Sequence, residues 1–433
     1  MKQLFFLITA ILLVSICTAQ DNPVKDEQLK MLIAKTISNF PKVKELNEQV
    51  RLNDIKDELI NKAYNPSISS DLNYRFSAPV PEAVLTTPAG KQTIAFQPLN
   101  NYSTTITINQ LIYDFGKTKI QLERNAKEKQ LAIDQVENTK NALAYQVTQI
   151  YYLMQYLNRA ITVQEDQIKS LKENERIVLE KFKNGDGLEY DVLTTQVKTS
   201  NTINRLNDFK SQLAKQYILL KWLTGEDMNG TLRFENIPDD FTLNTETGNW
   251  KQFNADAIVI QHRIEAYQLD IKAVKINNRP SVFARATGGF QNGVQPDINQ
   301  FRGVTNIGAG ISIPILSANH SKQQQKLIQK QIDISKQSLQ TIETALQKDI
   351  ATVAEDYNNL QLKIKNTQLL VKQAQKTYEL AAIRFKAGLI TNAELMQAQT
   401  NTEDASLQLA QLFYQLNTEK IQSHLLVGTV LYK

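Results

Sequence analysis

The chain has 433 residues, which is enough for two or three ordinary domains. Its 49 Lys and Arg and 44 Asp and Glu leave a net charge of +5, which is too weak and too evenly mixed to indicate a nucleic-acid partner. Cys17 is the one cysteine, so the sequence excludes an internal disulfide and a thiolate metal site.

Residues 1–19 have the features of a secretory signal peptide. An apolar run follows Lys2 and continues to Ile16, and Cys17 and Ala19 are the small residues of a cleavage site. The run is too short to cross a bilayer as a helix, which needs about 20 apolar residues. An alternative is that Cys17 becomes a lipid-modified N-terminus, although Ile16 is bulkier than such processing usually accepts. We expect simple cleavage and therefore an exported protein.

The segment 20–225 is predicted to form a first structural repeat. Its elements are an N-terminal helix from about Val24 to Ala63, strands at about 66–78 and 100–113, a long helix over 115–183 and a return helix over 188–223. Apolar and polar residues alternate along both strands, which gives each strand one apolar and one polar face. The linker 79–99 carries four prolines and predicts a loop.

Residues 226–250 are rich in Gly, Asn, Thr and Asp and predict an equatorial excursion on the outside of a helical tube. The segment 251–433 is predicted to form a second structural repeat. Its elements are a helix over 251–278, strands at about 280–291 and 301–315, a long helix over 318–386 and a return helix over 390–427. Both repeats therefore have the same order of elements after their first helix.

The two long helices carry the same heptad pattern. The chain has neither Gly nor Pro from Lys117 to Lys183, which predicts a rod of roughly 100 Å at about 1.5 Å per residue. Apolar residues recur in alternating steps of four and three, as expected of a coiled coil. An offset of 203 residues maps this seam onto the second long helix, residues 182–185 onto 385–388, and Asp191 onto Glu394. One constant offset indicates an internal duplication.

The four strands favour a membrane barrel over a small soluble sheet. Each has about the 10 residues that a tilted strand needs to cross the apolar layer, and aromatic residues such as Tyr74 and Phe290 lie near strand ends. Four strands cannot close a barrel, and an open edge in lipid leaves backbone groups unpaired. Because the smallest barrels have about eight strands, at least two copies must share one barrel. This argument does not choose between two, three and four copies.

The order, duplication and spacing of these features resemble the TolC-like outer-membrane efflux family over essentially the whole mature chain. The residues that carry the resemblance are the strand-to-helix junctions at 110–116 and 313–316, the turn Arg384-Phe385-Lys386-Ala387-Gly388, and the step Glu394-Leu395-Met396. The resemblance implies a mainly α fold with a small β part. Long antiparallel coiled-coil helices would form a periplasmic α-barrel, and four strands per subunit would join a shared trimeric transmembrane β-barrel.

The resemblance also implies a function. The chain would be a homotrimeric channel in outer-membrane lipid, the passive exit duct of a tripartite efflux or type I secretion system. Cargo would come from an inner-membrane transporter of the RND, ABC or a similar type through a periplasmic adaptor (membrane fusion) protein. An alternative is a periplasmic coiled-coil scaffold whose strands form a soluble sheet without a pore.

The sequence offers little that suggests an enzyme. His262, His320 and His424 are the available imidazoles, and none has a second histidine at the spacing of metal ligands. The sequence has no phosphate-binding Gly loop and no nucleophile elbow. We therefore expect no enzymatic activity, no cofactor and no nucleic-acid partner.

The resemblance places two functional regions where the helices turn. The predicted adaptor contacts are Phe182, Asn184, Gly185, Asp186, Arg384, Phe385, Ala387, Gly388 and Leu389. Asp186 departs from the aliphatic or Thr residue usual in the family, so docking should differ between the two turns.

The second region is a predicted pore constriction formed by Glu394, Asp191 and Gln397. Gln397 replaces a second acid often found there, so the constriction should be less negative than in relatives with both acids. Three copies of Glu394 on a symmetry axis would form a ring that attracts cations. The alternative is that Glu394 and Asp191 only stabilise helix N-termini through the helix dipole, and the sequence leaves this open.

Overall fold

The computed structural model describes residues 26–228, 230, 232, 250–315 and 318–432. Its helices are α1 (Glu27–Asn39), α2 (Pro41–Asn61), α3 (Lys117–Lys183), α4 (Glu189–Thr224), α5 (Trp250–Phe253), α6 (Ala255–Ile276), α7 (Ala318–Lys386) and α8 (Asn392–Leu426). Its strands are β1 (Ser67–Phe76), β2 (Glu82–Thr87), β3 (Gly90–Ala95), β4 (Asn100–Tyr113), β5 (Ser281–Gln291) and β6 (Arg302–Ser312). The predicted signal peptide and most of the predicted excursion lie outside the described residues.

The chain divides into two compact units. We call the first the helical unit; it takes its residues from Met1–Leu46, Asp134–Ile258 and Gln340–Lys433. We call the second the strand-bearing unit; it comprises Asn47–Ile133 and Val259–Leu339. Each unit draws residues from both sequence repeats.

The strand-bearing unit contains an antiparallel sheet in the order β1-β4-β5-β6. The two predicted hairpins are confirmed, because β1 pairs with β4 and β5 pairs with β6. The pairing of β4 with β5 joins the repeats. One sheet face exposes large apolar residues, of which Leu72 is 81% and Ile307 is 83% exposed. An uncovered apolar face of this kind indicates contact with lipid or with another surface.

The prediction of a loop between β1 and β4 was wrong. Residues 82–95 form a second, two-stranded hairpin in which Glu82 pairs with Ala95 and Thr87 pairs with Gly90. The prolines that suggested a loop, Pro79, Pro81, Pro88 and Pro98, all lie in turns or beyond the strand ends. They therefore remove no hydrogen bond from the β2–β3 ladder.

The structure has two helices, α1 and α2, where one N-terminal helix was predicted. Phe40 separates α1 from α2 with an extended backbone, because Pro41 disfavours helical geometry in the residue before it. Asp26 caps α1 by accepting hydrogen bonds from the backbone N–H groups of Gln28 and Leu29 at 2.8 and 3.3 Å. The helix predicted over 251–278 is similarly divided at Asn254, whose side chain accepts from the N–H of Ala257 at 3.0 Å.

Asp114 fixes the junction between β4 and α3. Its carboxylate accepts from the backbone and hydroxyl of Thr118, each at 2.6 Å, from the N–H of Gly116 at 2.9 Å and from the hydroxyl of Tyr64 at 2.8 Å. Asp114 is only 3% exposed. Desolvation alone would raise the pKa of this carboxyl, but the hydrogen bonds from Thr118, Tyr64 and Gly116 outweigh it and lower the pKa.

The main core of the helical unit joins α1, α3, α4 and α8. Its buried members include Leu29, Tyr151, Leu220 and Ile421. Leu431, beyond the end of α8, is 1% exposed in the same core, and its N–H donates to the Asn141 side chain at 3.0 Å. The region predicted as the C-terminal end of the second repeat is thereby anchored to the first.

The two return helices end at glycines related by the 203-residue duplication. Gly225 and Gly428 follow α4 and α8 with φ of 74° and 81°, in the left-handed region where other residues are strained. A Cβ atom at Gly225 would meet the Asn39 side chain at 3.8 Å, an ordinary contact. A Cβ atom at Gly428 would overlap the carbonyl group of Phe253. The same turn is therefore open in one repeat and closely packed in the other.

Gly428→Ala should destabilise the protein more than Gly225→Ala. We expect about 1 kcal/mol for the backbone strain at Gly225 and at least about 2 kcal/mol at Gly428, where overpacking adds to the strain. Thermal unfolding of the two purified variants, followed by circular dichroism, measures the difference. Equal melting temperatures would contradict the close approach of Phe253.

Asp114→Asn should lower stability at neutral pH and less so in acid. A carboxylate with a lowered folded-state pKa stabilises the fold above its unfolded pKa, and this contribution is lost as pH falls through the folded pKa. We expect a loss of about 1 kcal/mol at pH 7, because hydrogen bonds to a charged carboxylate are stronger than those to the neutral amide that replaces it. The difference in melting temperature from the native protein should shrink as pH falls below the ordinary value of 3.8. A difference independent of pH would assign the effect to packing.

Candidate functional site: the hairpin tips of the helical unit

The turns that join α3 to α4 and α7 to α8 are built alike. In the first, the N–H of Asp186 donates to the carbonyl of Lys181 at 2.9 Å, and the N–H of Gly185 donates to that of Phe182 at 3.0 Å. In the second, the equivalent bonds run from Leu389 to Arg384 at 2.9 Å and from Gly388 to Phe385 at 3.1 Å. Each turn closes its long helix with the same pair of bonds. We call these two turns the tips.

The two long helices and the two return helices all contribute to one small core beside the tips. Val178 of α3, Val192 of α4, Phe385 of α7 and Leu395 of α8 are buried together. Val192 and Leu395 are related by the duplication, as are Phe182 and Phe385. The two hairpins therefore pack on each other within a single chain, and their tips are held side by side.

The two tip phenylalanines differ in exposure. Phe385 is 4% exposed, whereas Phe182 is 42% exposed. Lys181 lies over the Phe385 ring, with its Nζ 4.2 Å from the ring centroid, and donates to the Phe385 carbonyl at 3.1 Å. Phe385 thus belongs to the core in this chain, and its side chain offers no contact surface. Phe182 is free on the surface.

The remaining predicted adaptor contacts lie on the surface. Asn184, Gly185, Asp186, Arg384, Ala387, Gly388 and Leu389 are all exposed. Leu389 is 68% exposed, and Leu188 and Tyr190 at the start of α4 are 65% and 69% exposed. The tips therefore present an apolar surface with basic and acidic residues at its margin.

Glu394 forms a capping box with Thr391. Its carboxylate accepts from the backbone N–H and hydroxyl of Thr391 at 2.7 and 2.9 Å, and its own N–H donates to the Thr391 hydroxyl at 3.2 Å. These bonds, the backbone bond first, lower the pKa of Glu394. The side chain is exposed, so it stabilises the start of α8 and still presents a negative charge to solvent. The two interpretations left open by the sequence are compatible.

Asp191 and Gln397, the other two residues of the predicted constriction, differ in their exposure and hydrogen bonds. Asp191 lies half-buried in the first turn of α4, which has no side-chain cap of its own at Leu188. Its carboxylate has no hydrogen-bond or ion-pair partner among the described residues and faces the positive end of the helix dipole. Gln397 is exposed and donates to Asn401 of the same helix at 2.8 Å.

A buried polar contact between the hairpins was missed by the sequence analysis. Asn392 is 2% exposed; its side chain accepts from Asn174 at 2.9 Å and donates to Thr195 at 3.0 Å. It also donates to the carbonyl of Asp191 at 3.3 Å. Three helices, α3, α4 and α8, therefore meet at one side chain near the predicted constriction.

A second buried cluster lies farther along the same helices and was also missed. Glu403 is 2% exposed and pairs with Lys198 at 3.2 Å and Arg205 at 3.1 Å. Gln164 donates to the same carboxylate at 3.0 Å. We call Glu403, Lys198, Arg205 and Gln164 the clasp, because they join α8 to both α4 and α3.

The spacing of three polar residues along α8 is a sequence feature that indicates a shared helix face. Asn392, Gln399 and Glu403 follow one another at steps of seven and four along α8, which places them on one face of the helix. The face carries no apolar residue at these three positions, so hydrophobic periodicity does not detect it. The burial of this face becomes evident only from its packing against α3 in the structure.

His424 lies in the last turn of α8. Burial lowers the pKa of His424 to about 4, so this imidazole is neutral at physiological pH. Within the described ranges, no group of three or more His, Cys, Asp or Glu side chains is arranged to hold a metal ion. In the same ranges, no helix combines the length and apolarity needed to cross a membrane.

The chain matches the family model described as outer membrane efflux protein over residues 33–226 and 252–429. It is 23% identical over 338 residues to the probable efflux pump outer membrane protein TtgC of Pseudomonas putida, a match that covers 74% of this chain and 69% of TtgC. The antibiotic efflux pump outer membrane protein ArpC of Pseudomonas putida matches equally well. None of these matches supports a scaffold without a pore.

Solved structures agree on the fold. The CmeC outer membrane channel of Campylobacter jejuni superposes with a TM-score of 0.75 at 16% identity, covering 93% of this chain and 86% of CmeC. The outer membrane protein VceC of Vibrio cholerae superposes with a TM-score of 0.72 at 15% identity, covering 93% and 97%. Since the family model covers both repeats and nearly the whole described chain, this protein belongs to the outer membrane efflux protein family and is an outer-membrane channel subunit with a periplasmic helical tunnel.

Proposed function

We propose that the chain works as a homotrimer and is the passive exit duct of a tripartite efflux system. The observation that carries the proposal is the open four-stranded sheet with its exposed apolar face. Its outer strands β1 and β6 each have one edge without a partner in the described chain. In lipid such an edge leaves N–H and C=O groups unpaired, at several kcal/mol for each group.

Three copies remove both edges by pairing β1 of one copy with β6 of the next. The number three rests on the resemblance to the TolC-like family, and it gives a closed barrel of twelve strands from three sets of four. Each of the repeats 20–225 and 251–433 then contributes one hairpin of the barrel and one tip. The helices of the three copies surround a tunnel through which cargo leaves.

We propose that the chain supplies no chemistry and no energy of its own. The sequence lacks a nucleotide-binding loop, so transport energy must come from an inner-membrane transporter of the RND, ABC or a similar type. A periplasmic adaptor links the two at the tips, whose exposed apolar residues, such as Leu389, suit a helical partner. The relatives are named as efflux pump proteins, which favours efflux over type I secretion.

We also propose that Glu394 contributes to a selective constriction. Its exposed carboxylate and lowered pKa keep it ionised at physiological pH. Three copies at the tips place three such charges around the pore axis, where they attract cations. Asp191 adds a second, partly buried charge, and Gln397 adds none.

The purified protein should require detergent and form single channels in a planar lipid bilayer. Leu72→Arg places a charge on the apolar face of β1, which costs about 2–4 kcal/mol near the bilayer centre, so this variant should fail to insert. Asn73→Arg, on the opposite face of the same strand, is the matched control and should still conduct. A native protein that stays soluble without detergent and shows no conductance would exclude the duct.

Glu394→Gln should reduce the preference of the channel for cations and its block by polyvalent cations. Thr391→Ala is the control, because it removes the hydroxyl partner of Glu394 in the cap and keeps the carboxylate. Reversal potentials in a salt gradient measure the preference. In the native channel the preference should persist at pH 5 and decline only below the ordinary glutamate pKa of 4.5, since the pKa of Glu394 is lowered.

The two variants separate the two roles of Glu394. A Glu394→Gln channel with native selectivity and a lower melting temperature would show that the residue only caps α8. Native selectivity in Thr391→Ala, with loss of selectivity in Glu394→Gln, would support the ring of charge.

A further inference from the structure

The charged residues of the β1-β4-β5-β6 sheet all lie on its polar face. They are Asp71 and Arg75 of β1, Arg285 of β5 and Arg302 of β6. The strand register places all four on the same side as the polar residues of β4. Three arginines and one aspartate leave two positive charges for each copy, and none of the four has an ion-pair partner among the described residues. The polar face is therefore a positive surface, and in a closed barrel it faces the interior.

A cavity of about 530 Å³ opens on this face where the chain enters β1. One wall is the segment 62–65, which joins α2 to β1, and the others come from the first residues of β1 and β5 and the last residues of β4. The lining combines two cationic side chains, Lys62 and Arg285, with the aromatic ring of Phe283. The volume suits a small organic molecule, since ligand cavities usually measure about 300–1,000 Å³.

Arg285 is held in position on the cavity wall by the neighbouring strand. Its Nε donates to the side-chain oxygen of Asn109 at 2.7 Å, and Asn109 is its directly opposite partner on β4. The two terminal nitrogen atoms of Arg285 have no hydrogen-bond partner among the described residues. A guanidinium group offers such a pair of N–H donors to both oxygens of a carboxylate in one plane. Arg285 is therefore oriented to receive a carboxylate.

Two glycines of β6 shape the space around Arg285. Gly308 lies opposite Arg285, and a Cβ atom there would meet no other atom within 4 Å, so the space beside the guanidinium is open. Gly310 lies opposite Phe283, whose ring covers it, because a Cβ atom there would come within 2.7 Å of the ring. Leu111 is the partner of Phe283 on β4. Since Phe283 and Arg285 are two residues apart on one face of β5, an apolar wall adjoins the cationic group.

The segment that joins α2 to β1 is fastened to the rest of the site. The Gln110 side chain donates to the carbonyl of Tyr64, and the Tyr64 hydroxyl donates to Asp114 at 2.8 Å. Lys62 is exposed, and it has no ion-pair partner among the residues that the structure describes. Its ammonium group is therefore a second cation at the cavity, on a wall that is fixed in place.

We propose that the cavity is a binding site for organic anions in which a carboxylate lies next to an apolar ring. Arg285 binds the two carboxylate oxygens through its terminal nitrogen atoms, Lys62 supplies a second positive charge, and the ring of Phe283 packs on the apolar part. The positive polar face raises the local concentration of anions at the site. The proposal rests on the proposed function, because it makes such anions a cargo class of the duct.

Block of single-channel current by naphthoate, measured on the native protein in a planar bilayer at neutral pH, tests the site. Naphthoate joins a carboxylate to an apolar double ring, and naphthamide has the same shape without the charge. We expect naphthoate to block at a half-blocking concentration at least about tenfold lower than that of naphthamide, because hydrogen bonds between charged groups are the stronger ones.

Arginine variants separate the site from the general charge of the face. Arg285→Gln removes the bidentate partner and should raise the half-blocking concentration of naphthoate at least about tenfold. Arg302→Gln removes the same charge from the same face but outside the cavity, so it should raise that concentration less than about twofold. Arg285→Lys keeps the charge and loses the planar pair of donors, so its value should lie between those of the native channel and Arg285→Gln.

The contrary outcomes distinguish the site from the duct. Equal effects of Arg285→Gln and Arg302→Gln would overturn the site and assign anion binding to the general field of the face. Equal block by naphthoate and naphthamide, or no block by either in a conducting channel, would overturn the site and leave the duct function standing.

A native protein that does not conduct would overturn the duct instead. Saturation-transfer NMR of the detergent-solubilised protein with naphthoate then tests the site by itself. Loss of transfer in Arg285→Gln is the expected result, and equal transfer in the native protein and Arg285→Gln would overturn the site.

Discussion

The whole architecture depends on surfaces that one chain cannot cover by itself. The sheet β1-β4-β5-β6 ends in two open edges, and its apolar face has residues such as Leu72 almost fully exposed. In lipid the face is satisfied by acyl chains, but the edges need backbone partners. The same incompleteness recurs in the helical unit, where α4 and α7 expose faces that their duplicated counterparts bury. Assembly is therefore a condition of the fold rather than an addition to it.

The duplication explains why the two hairpins are built with the same local contacts. Hairpins related by 203 residues share their tip hydrogen bonds, their heptad seams and the glycines that end their return helices. The two halves also differ at individual side chains, including Asp191 against Glu394 and Ser200 against Glu403.

Polar residues form part of the contact between the two hairpins near the tips. The contact between α3 and α8 includes the hydrogen bonds from Asn174 to Asn392 and from Gln164 to the buried carboxylate of Glu403. Buried polar groups stabilise a contact only in the geometry that pairs them, so they favour one register strongly.

Several features follow from the sequence by itself. The heptad period over 117–183 and 318–386 determined the long helices, and alternation at period two determined the four strands, because these patterns directly record which side of each element avoids water. The constant offset determined the duplication. The prolines of 79–99 led to the wrong prediction of a loop. A proline marks where a strand ends, and it does not exclude a strand between two prolines.

Tertiary structure decided which polar residues are buried. Glu394 and Glu403 are the same residue type on the same helix, yet one caps α8 in solvent and the other is enclosed by Lys198, Arg205 and Gln164. The cap is local, because Thr391 precedes Glu394 by three residues, whereas burial of Glu403 depends on side chains that are about 200 residues away in sequence. The sequence alone determined the helices, strands and repeats, whose causes are local and periodic. The pairing of charges between distant helices, and hence the site, required the packed fold.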